Sequence, residues 1–344
     1  MDKQKVYNPV IDVLRIVAIL AVIGIHTSTR ILEVVKFDIS GYIFVFIFNQ
    51  AIRFAVPLFF LISGFVLELN YRHANHYISF LKRRVSRIVI PYLFWSIIYY
   101  YFVYTIHTIN LPHTILTGDA SYHLYFIPSI IIFYLLFPIL HKYQSFFLSR
   151  NTIIILGFVQ VLLVAYTYYI LPLPFYNPIS IALLNYFMFV FGMYISKNSN
   201  TLLLVKNDKR ILIGLILAVI WVITEGYFIY IHTHNYLAIY TQWRPSILLY
   251  TILLFIYTYR KCMNIHWNIK LIKQISHLSF FVFFIHVLVL ELFWRYIGKL
   301  LFAHIKGSFL MFLFTLVIFI IIALVSFLLA YLIHKIPKVS AITG

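Results

Sequence analysis

The side chains best suited to proton and anion chemistry sit where an apolar chain should not tolerate them. Pro9-Val-Ile-Asp12-Val-Leu-Arg15 is followed by ten apolar or small residues, Ile16 to Ile25, and then by His26. On a helix, the eleven steps from Arg15 to His26 turn about 1100°, roughly 20° past three full turns, and rise about 16 Å. The two share one face, and Asp12, three residues before Arg15, lies close enough to pair with it. A histidine titrates near neutrality and suits general-base work, while an arginine suits a phosphate or an oxyanion. Each has a plainer reading. An arginine near a helix end snorkels to the interface, and a lone histidine there can be an ordinary interfacial residue.

Arg53 precedes Val56-Pro57-Leu-Phe-Phe-Leu-Ile-Ser63-Gly64-Phe65. Pro57 and the small Ser63-Gly64 pair permit a bend and close helix approach. Packing accounts for the small residues but not for Arg53, which needs a buried anion or an aqueous cavity. A third cluster is Lys82-Arg83-Arg84-Val-Ser-Arg87, followed by Pro91-Tyr92. Arg84 and Arg87, at i and i+3, share a face and can clamp a phosphate bidentately. By charge count alone, lipid headgroups and topology explain that cluster at least as well. His286 and Glu225 are further polar residues within apolar runs, Glu291 is spaced to pair with Arg295, and His123 opens the stretch His123-Leu-Tyr125-Phe-Ile-Pro128.

The elements that must position these groups follow from composition. Of 344 residues, 63% are hydrophobic and 10% charged, and the mean hydropathy is +0.95. Ordinary globular chains are roughly 45–50% apolar and about 25% charged. A soluble protein is excluded, and the lipid bilayer is the main solvent. Long continuous apolar runs without two-residue alternation exclude a β-barrel. We expect an all-α polytopic membrane protein with about ten transmembrane helices, at 9–28, 42–69, 88–109, 123–141, 152–171, 178–196, 210–231, 245–259, 277–297 and 308–334. The run 42–69 is too long for one straight crossing and must tilt or bend near Pro57.

The formal charge of +18 is then mostly topology. With the N-terminus inside, nineteen of the 27 Lys and Arg fall on inner segments. Six fall on outer ones: Arg30, Lys36, Arg244, Arg295, Lys299 and Lys306. The bias is that of the positive-inside rule, with both termini cytoplasmic, and calls for no nucleic acid. Arg15 and Arg53 are the two left over. Lys3 and Lys5 precede an apolar run, but Asp12 and Arg15 interrupt it and no small-residue cleavage site follows, so an uncleaved first helix is expected. A single cysteine, Cys262, gives no disulfide framework or Cys-based zinc site. Walker A, G-x-S-x-G, H-E-x-x-H and G-x-G-x-x-G motifs are missing, as is a histidine followed four residues later by Asp. Nucleotide hydrolysis, serine hydrolysis and zinc proteolysis are unsupported, and no metal is expected.

Taken in order, these motifs resemble the membrane acyltransferase-3 family. Asp12-Val-Leu-Arg15 with ten residues to His26 looks like its first helix, and Val56-Pro57 to Ser63-Gly64-Phe65 like its second-helix motif. Arg84-Val-Ser-Arg87 with Pro91-Tyr92 matches its R-x-x-R mouth, and His123-Leu-Tyr125-Phe126 its fourth-helix opening. Gly192, in Phe-Val-Phe-Gly192-Met-Tyr, is similar to a later glycine of the family. The likeness spans nearly the whole chain. It departs in the run 277–297, where Ser279-Phe-Phe281-Val-Phe283-Phe-Ile-His286 keeps the ends of Ser-Phe-Gly-x-Tyr-x-x-His and loses the glycine and tyrosine.

The resemblance implies a single transmembrane domain over residues 1–344 that moves an acyl group, usually acetyl, from acyl-CoA to a hydroxyl of a cell-envelope glycan. It implies an O-acyltransferase of the bacterial plasma membrane, with acetyl-CoA or another acyl-CoA as donor and a glycan or lipid-linked sugar as acceptor. Arg84, Arg87 and Arg15 would meet the CoA phosphates. The catalytic residues would be His26, Arg15 and Arg53: His26 would remove the acceptor proton, and Arg53 would stabilise the oxyanion or orient His26. Some family members carry an additional esterase-like domain; this chain ends at Gly344, shortly after the last run. A reading from another class is a glycan exporter or flippase whose buried charges bind a lipid-linked sugar without chemistry. A weaker third is a structural partner in a synthase complex.

Overall fold

A computed structural model describes residues 7–336 apart from 37, 72–76, 105–109, 171–176, 200–207, 234–238, 264, 266, 303–304 and 306. The regular structure of the described residues is all helix, with no strand. Helix α1 (Pro9–Val34) starts where Asn8 accepts the Val10 amide and Pro9 supplies a preset first turn. It is followed by α2 (Ile43–Ala51), α3 (Ala55–Asn70) and α4 (Tyr77–Ile98), which a π-helical turn continues over Tyr99–Val103. Next come α5 (Leu111–Thr117), α6 (Phe126–Lys142), the single turn α7 (Gln144–Phe147) and α8 (Arg150–Ala165), extended by a π turn at Tyr166–Ile170. The remainder is α9 (Pro178–Leu183), α10 (Tyr186–Lys197), α11 (Asp208–Thr233), α12 (Pro245–Cys262), α13 (Ile269–Phe293, with a π turn at Trp294–Gly298), α14 (Lys299–Phe302) and α15 (Ser308–His334).

Among the described residues, seven helical segments are long and apolar enough to cross a membrane: Pro9–Val34, Ile43–Asn70, Ser79–Val103, Arg150–Ile170, Asp208–His232, Ile269–Phe302 and Ser308–His334. The other three expected runs are helical but fall short of that measure. Phe126–Lys142 has 17 residues, the run 178–196 is divided between α9 and α10, and α12 carries Arg260 and Lys261 in its last turn. The chain is a multi-pass membrane protein.

Helix α1 is the axis of the bundle and packs against α2, α3, α12, α13 and α15. Its apolar window is 67% buried, against 17% for α8 and 28% for α15, which present their side chains outward as a lipid-facing rim must. The long run 43–70 does bend. Pro57 has no amide to give the carbonyl of Arg53, four residues back, and the helix is interrupted at Ile52–Phe54. Arg53 thus sits in the break itself. Along α3, Gly64 lies against the backbone of Phe189 and, reciprocally, Gly192 of α10 lies against the backbone of Leu61. The two backbones approach this closely because both positions are glycine, as small residues allow in membranes.

Polar contacts define two ends. At the end where α1 begins, Ser276 donates to Asp12 (2.7 Å), Asn8 donates to Tyr259 (3.0 Å), and His141 meets Glu68 (2.9 Å). At the other end Arg30 pairs with Glu291 at 3.1 Å. That pairing corrects the expectation that Glu291 serves Arg295. The Arg295 guanidinium donates instead to the Val103 carbonyl at 3.3 Å, joining two π turns.

Candidate active site

Near the far end of α1, three histidines from distant parts of the chain come together. His26, half-buried, lies with its ring centroid 5.3 Å from His286 of α13 and 6.3 Å from His123. His123 and His286 are 5.2 Å apart and both are buried, at 3% and 0% exposure. Tyr122 covers His26 at 4.8 Å. His123 does not lie on α6, as its place in the run 123–141 suggests, but in the turn just before it. That turn is forced by Gly118, which caps α5 at φ +84°, where a Cβ would come within 2.6 Å of the Tyr125 Cα. The Nδ1 of His123 is 3.0 Å from the Ser121 hydroxyl, and that of His286 is 3.0 Å from the Val282 carbonyl. The Nε2 atoms of both are buried and have no hydrogen-bond partner among the described residues. Two ring nitrogens are therefore left for a ligand or a water beside His26.

Arg53 reaches this end of α1 through Thr29, one turn beyond His26. Its guanidinium approaches the Thr29 hydroxyl at 3.5 Å, donates to Asn49 Oδ1 (3.1 Å from Nε) and to the Tyr240 carbonyl, and lies over the Tyr240 ring. The Asn49 amide in turn donates to Ser28 (2.8 Å) and Thr29 (3.0 Å), pinning the break between α2 and α3 to α1. Arg53 is 3% exposed, and among the described residues no carboxylate pairs with it. It remains a buried positive charge within electrostatic reach of His26.

Beyond it lies a second buried cation. Arg244, counted from sequence among the outer charges, is 0% exposed. It donates to Gln50 and faces Glu225 at 3.8 Å, and Glu225 also accepts from Ser246 and Tyr169. Arg244 stands just before the first residue of α12, where a charge is ordinarily solvated; its burial comes from the meeting of α11 and α12.

Arg15 stands at the opposite end of α1 from His26. It pairs with Asp12 at 2.8 Å and lines a cavity of about 380 Å³ together with Tyr7, Asn8, Asn70, Lys273 and His277. That volume is within the usual range of small-molecule sites, about 300–1,000 Å³. Burial and the Asp12 carboxylate push the Tyr7 hydroxyl up to about 12, so it stays protonated and bonds to Asp12. Asp12 is thereby satisfied by Arg15, Ser276 and Tyr7, which leaves the Lys273 ammonium as a second cation on the cavity wall. Arg84 and Arg87 share this end on α4 but do not line the cavity. Arg84, half-buried, lies over Phe80; Arg87 is exposed and within electrostatic reach of His277. Between Arg15 and His26 the helix buries Ala18, Ile19, Val22 and Ile23, and the lining of the cavity on α1 ends at Arg15.

Sequence reasoning named His26, Arg53, Arg15, Arg84 and Arg87, and missed Asn49, Lys273 and the joining of His286 to His26. Asn49 was within reach: it lies four residues before Arg53, the spacing of a helical side-chain pair. Lys273 was passed over as a topology charge because α13 begins at Ile269, eight residues before the expected run.

The chain is 24% identical over 301 residues, 82% of each partner, to a Staphylococcus aureus (strain MRSA252) protein described as a probable poly-beta-1,6-N-acetyl-D-glucosamine export protein. No solved structure matches it. The model of the acyltransferase-3 family, described as an acyltransferase domain, matches residues 8–334, and the chain belongs to that family.

Proposed function

We propose that this membrane acyltransferase is an O-acyltransferase, moving an acyl group, acetyl in the first instance, from cytoplasmic acyl-CoA to a hydroxyl of a cell-envelope glycan or lipid-linked sugar. The observation that carries this reading is the division of α1 into two polar ends, Arg15 on a cationic cavity and His26 in a histidine cluster. Both termini and the Arg15 end face the cytoplasm of a bacterial cell in this reading, following the bias of Lys and Arg. Arg15 and Lys273 attract the donor's phosphates, and Arg84 and Arg87 approach the same end from α4.

At the other end His26 takes the proton of the acceptor hydroxyl as its oxygen bonds to the acyl carbon. The carbon–sulfur bond then breaks, and the imidazolium returns the proton to the departing thiolate. Arg53, a buried cation held by neutral partners, offsets the negative charge that develops on the acyl oxygen. The test is transfer of radiolabel from acetyl-CoA to an envelope glycan by purified protein in lipid discs. His26→Ala should abolish it while the protein stays folded; full transfer by that variant would overturn the assignment.

The likeness to the Staphylococcus protein described as a probable export protein favours a second reading, glycan export without acyl chemistry. Vesicles loaded with a poly-N-acetylglucosamine oligomer separate the two. Export without acetyl-CoA and insensitive to His26→Ala supports transport; acetylated product that depends on His26 supports transfer.

A further inference from the structure

The turn of α13 that carries His286 is bridged by a side chain from another helix. Tyr99, where α4 gives way to its π turn, donates its hydroxyl hydrogen to the Phe284 carbonyl at 2.7 Å and accepts the Leu288 amide at 3.0 Å. Those two backbone groups, four residues apart, are the pair that an α-helix bonds to each other. His286 lies midway between them. The Tyr99 ring also stands edge-on to His123, 5.2 Å between centroids, and is 0% exposed. The contact falls within a continuous stretch of α13, while Tyr99 itself opens a π turn, and π turns gather at functional sites. Packing alone does not ask for the hydroxyl. A phenylalanine would fill nearly the same volume and offer neither a donor to the Phe284 carbonyl nor an acceptor to the Leu288 amide.

What the hydroxyl fixes is the backbone beneath His286. The Val282 carbonyl can only accept, so Nδ1 of His286 carries the hydrogen and the lone pair of the neutral ring is on Nε2. That atom is buried, has no partner among the described residues, and belongs to the ring 5.3 Å from His26. A histidine base needs one nitrogen for the incoming proton and a fixed acceptor for the hydrogen on the other, the part a carboxylate plays in a serine triad. We infer that Tyr99 is a positioning residue, whose hydroxyl holds the α13 turn so that Nε2 of His286 accepts the second N–H of His26 when substrate closes the site. The inference rests on the acyl-transfer reading. Proton balance is unchanged by it: the hydroxyl proton goes to His26 and then to the thiolate, while His286 gains and loses none. Contacts of this kind commonly tighten only in the substrate complex.

The experiment compares wild type with Tyr99→Phe in lipid discs by two measurements. One is transfer kinetics with acetyl-CoA; the other, independent of turnover, is the rate of carbethoxylation of His286 by diethyl pyrocarbonate, with the exposed His232 as internal reference. The expected result is a fall in kcat of about tenfold or more at unchanged acetyl-CoA KM, as misplacement of a reacting group produces, together with a changed rate at His286 alone. Wild-type kcat and a wild-type His286 rate would overturn the inference. So would a lower kcat with an unchanged His286 rate, which marks a merely structural role. If wild type transfers no label, the acyl-transfer reading fails by itself and the His286 rate still decides the positioning claim. Should Tyr99→Phe not fold, 3-fluorotyrosine at position 99 adds one small atom to the ring and makes the hydroxyl more acidic, a stronger donor to Phe284 and a weaker acceptor from Leu288. A wild-type kcat and His286 rate in that protein would overturn the inference equally.

Discussion

Asn49 and Arg53 are joined through one oxygen: Asn49 Oδ1 accepts from the Arg53 guanidinium while the Asn49 amide reaches across to Ser28 and Thr29 on the helix of His26. The partner is neutral where a buried arginine would ordinarily be met by a carboxylate. That choice leaves the positive charge uncancelled at Thr29, one helical turn from His26. Asn49→Asp keeps the shape and supplies the missing counter-charge. It should still fold, the new ion pair with Arg53 offsetting the amide bonds lost to Ser28 and Thr29, and lose roughly 100-fold in kcat, the scale on which a single oxyanion-stabilising donor contributes. Retained kcat would mean that the charge of Arg53 is not used on the acyl oxygen and that Arg53 serves the fold alone.

The glycine pair is the structural counterpart. A Cβ at Gly64 would fall within the carbonyl of Phe189, and a Cβ at Gly192 within that of Leu61, both backbone groups that cannot swing aside. Gly64→Ala and Gly192→Ala should each cost at least about 1–3 kcal/mol, as overpacking does. Ser63→Ala, a neighbour without such a contact, serves as the control. Thermal denaturation in detergent checks this. Two alanine variants with wild-type Tm would show that α3 and α10 separate at little cost.

Much of this framework was readable from single-helix patterns. The Arg15–His26 face depends on helical pitch alone, and the bend in the run 43–70 depends on the missing amide of Pro57. The Ser63-Gly64 motif signals a close approach, though not that Gly192 is on the other side. What escaped the sequence are relationships between segments. Nothing local in residues 26, 123 and 286 says that they meet. The burial of Arg244 depends on Glu225, nineteen residues earlier on a separate helix. Charge counting fails there for a physical reason: it treats each cation at a helix end as solvated, and a carboxylate on the next helix removes that need.

The two candidate phosphate-binding groups can be ranked. Lys273 lines the cavity with Arg15, whereas Arg84 and Arg87 lie outside its wall. Hydrogen bonds to charged groups contribute about 1.5–3 kcal/mol, and exposed charges are screened by salt. Lys273→Gln should raise the acetyl-CoA KM by about tenfold or more with little change in kcat, and Arg87→Gln by less, with a steeper dependence on salt. The KM values at two ionic strengths test it. The reverse ranking would move the donor phosphates to the R-x-x-R mouth on α4.

Arg244 and Glu225 form the most buried ion pair among the described residues, at 0% and 5% side-chain exposure and 3.8 Å apart. The carboxylate is also held by Ser246 and Tyr169, and Gly226 makes room for the guanidinium, since a Cβ there would lie 2.9 Å from it. Removing one partner of such a pair leaves an uncompensated charge in a medium that cannot solvate it, at a cost of about 3–5 kcal/mol. Arg244→Leu should therefore destabilise strongly, while Arg244→Leu combined with Glu225→Gln should recover most of the loss, because no charge is then stranded. A double-mutant cycle on thermal stability reads the coupling directly. Because Gln50 ties Arg244 to Asn49 and so to Arg53, the rescued double variant also asks whether this network feeds the reaction. Wild-type transfer in that protein would confine Arg244 and Glu225 to the fold; a low kcat in a protein of restored stability would place them behind Arg53.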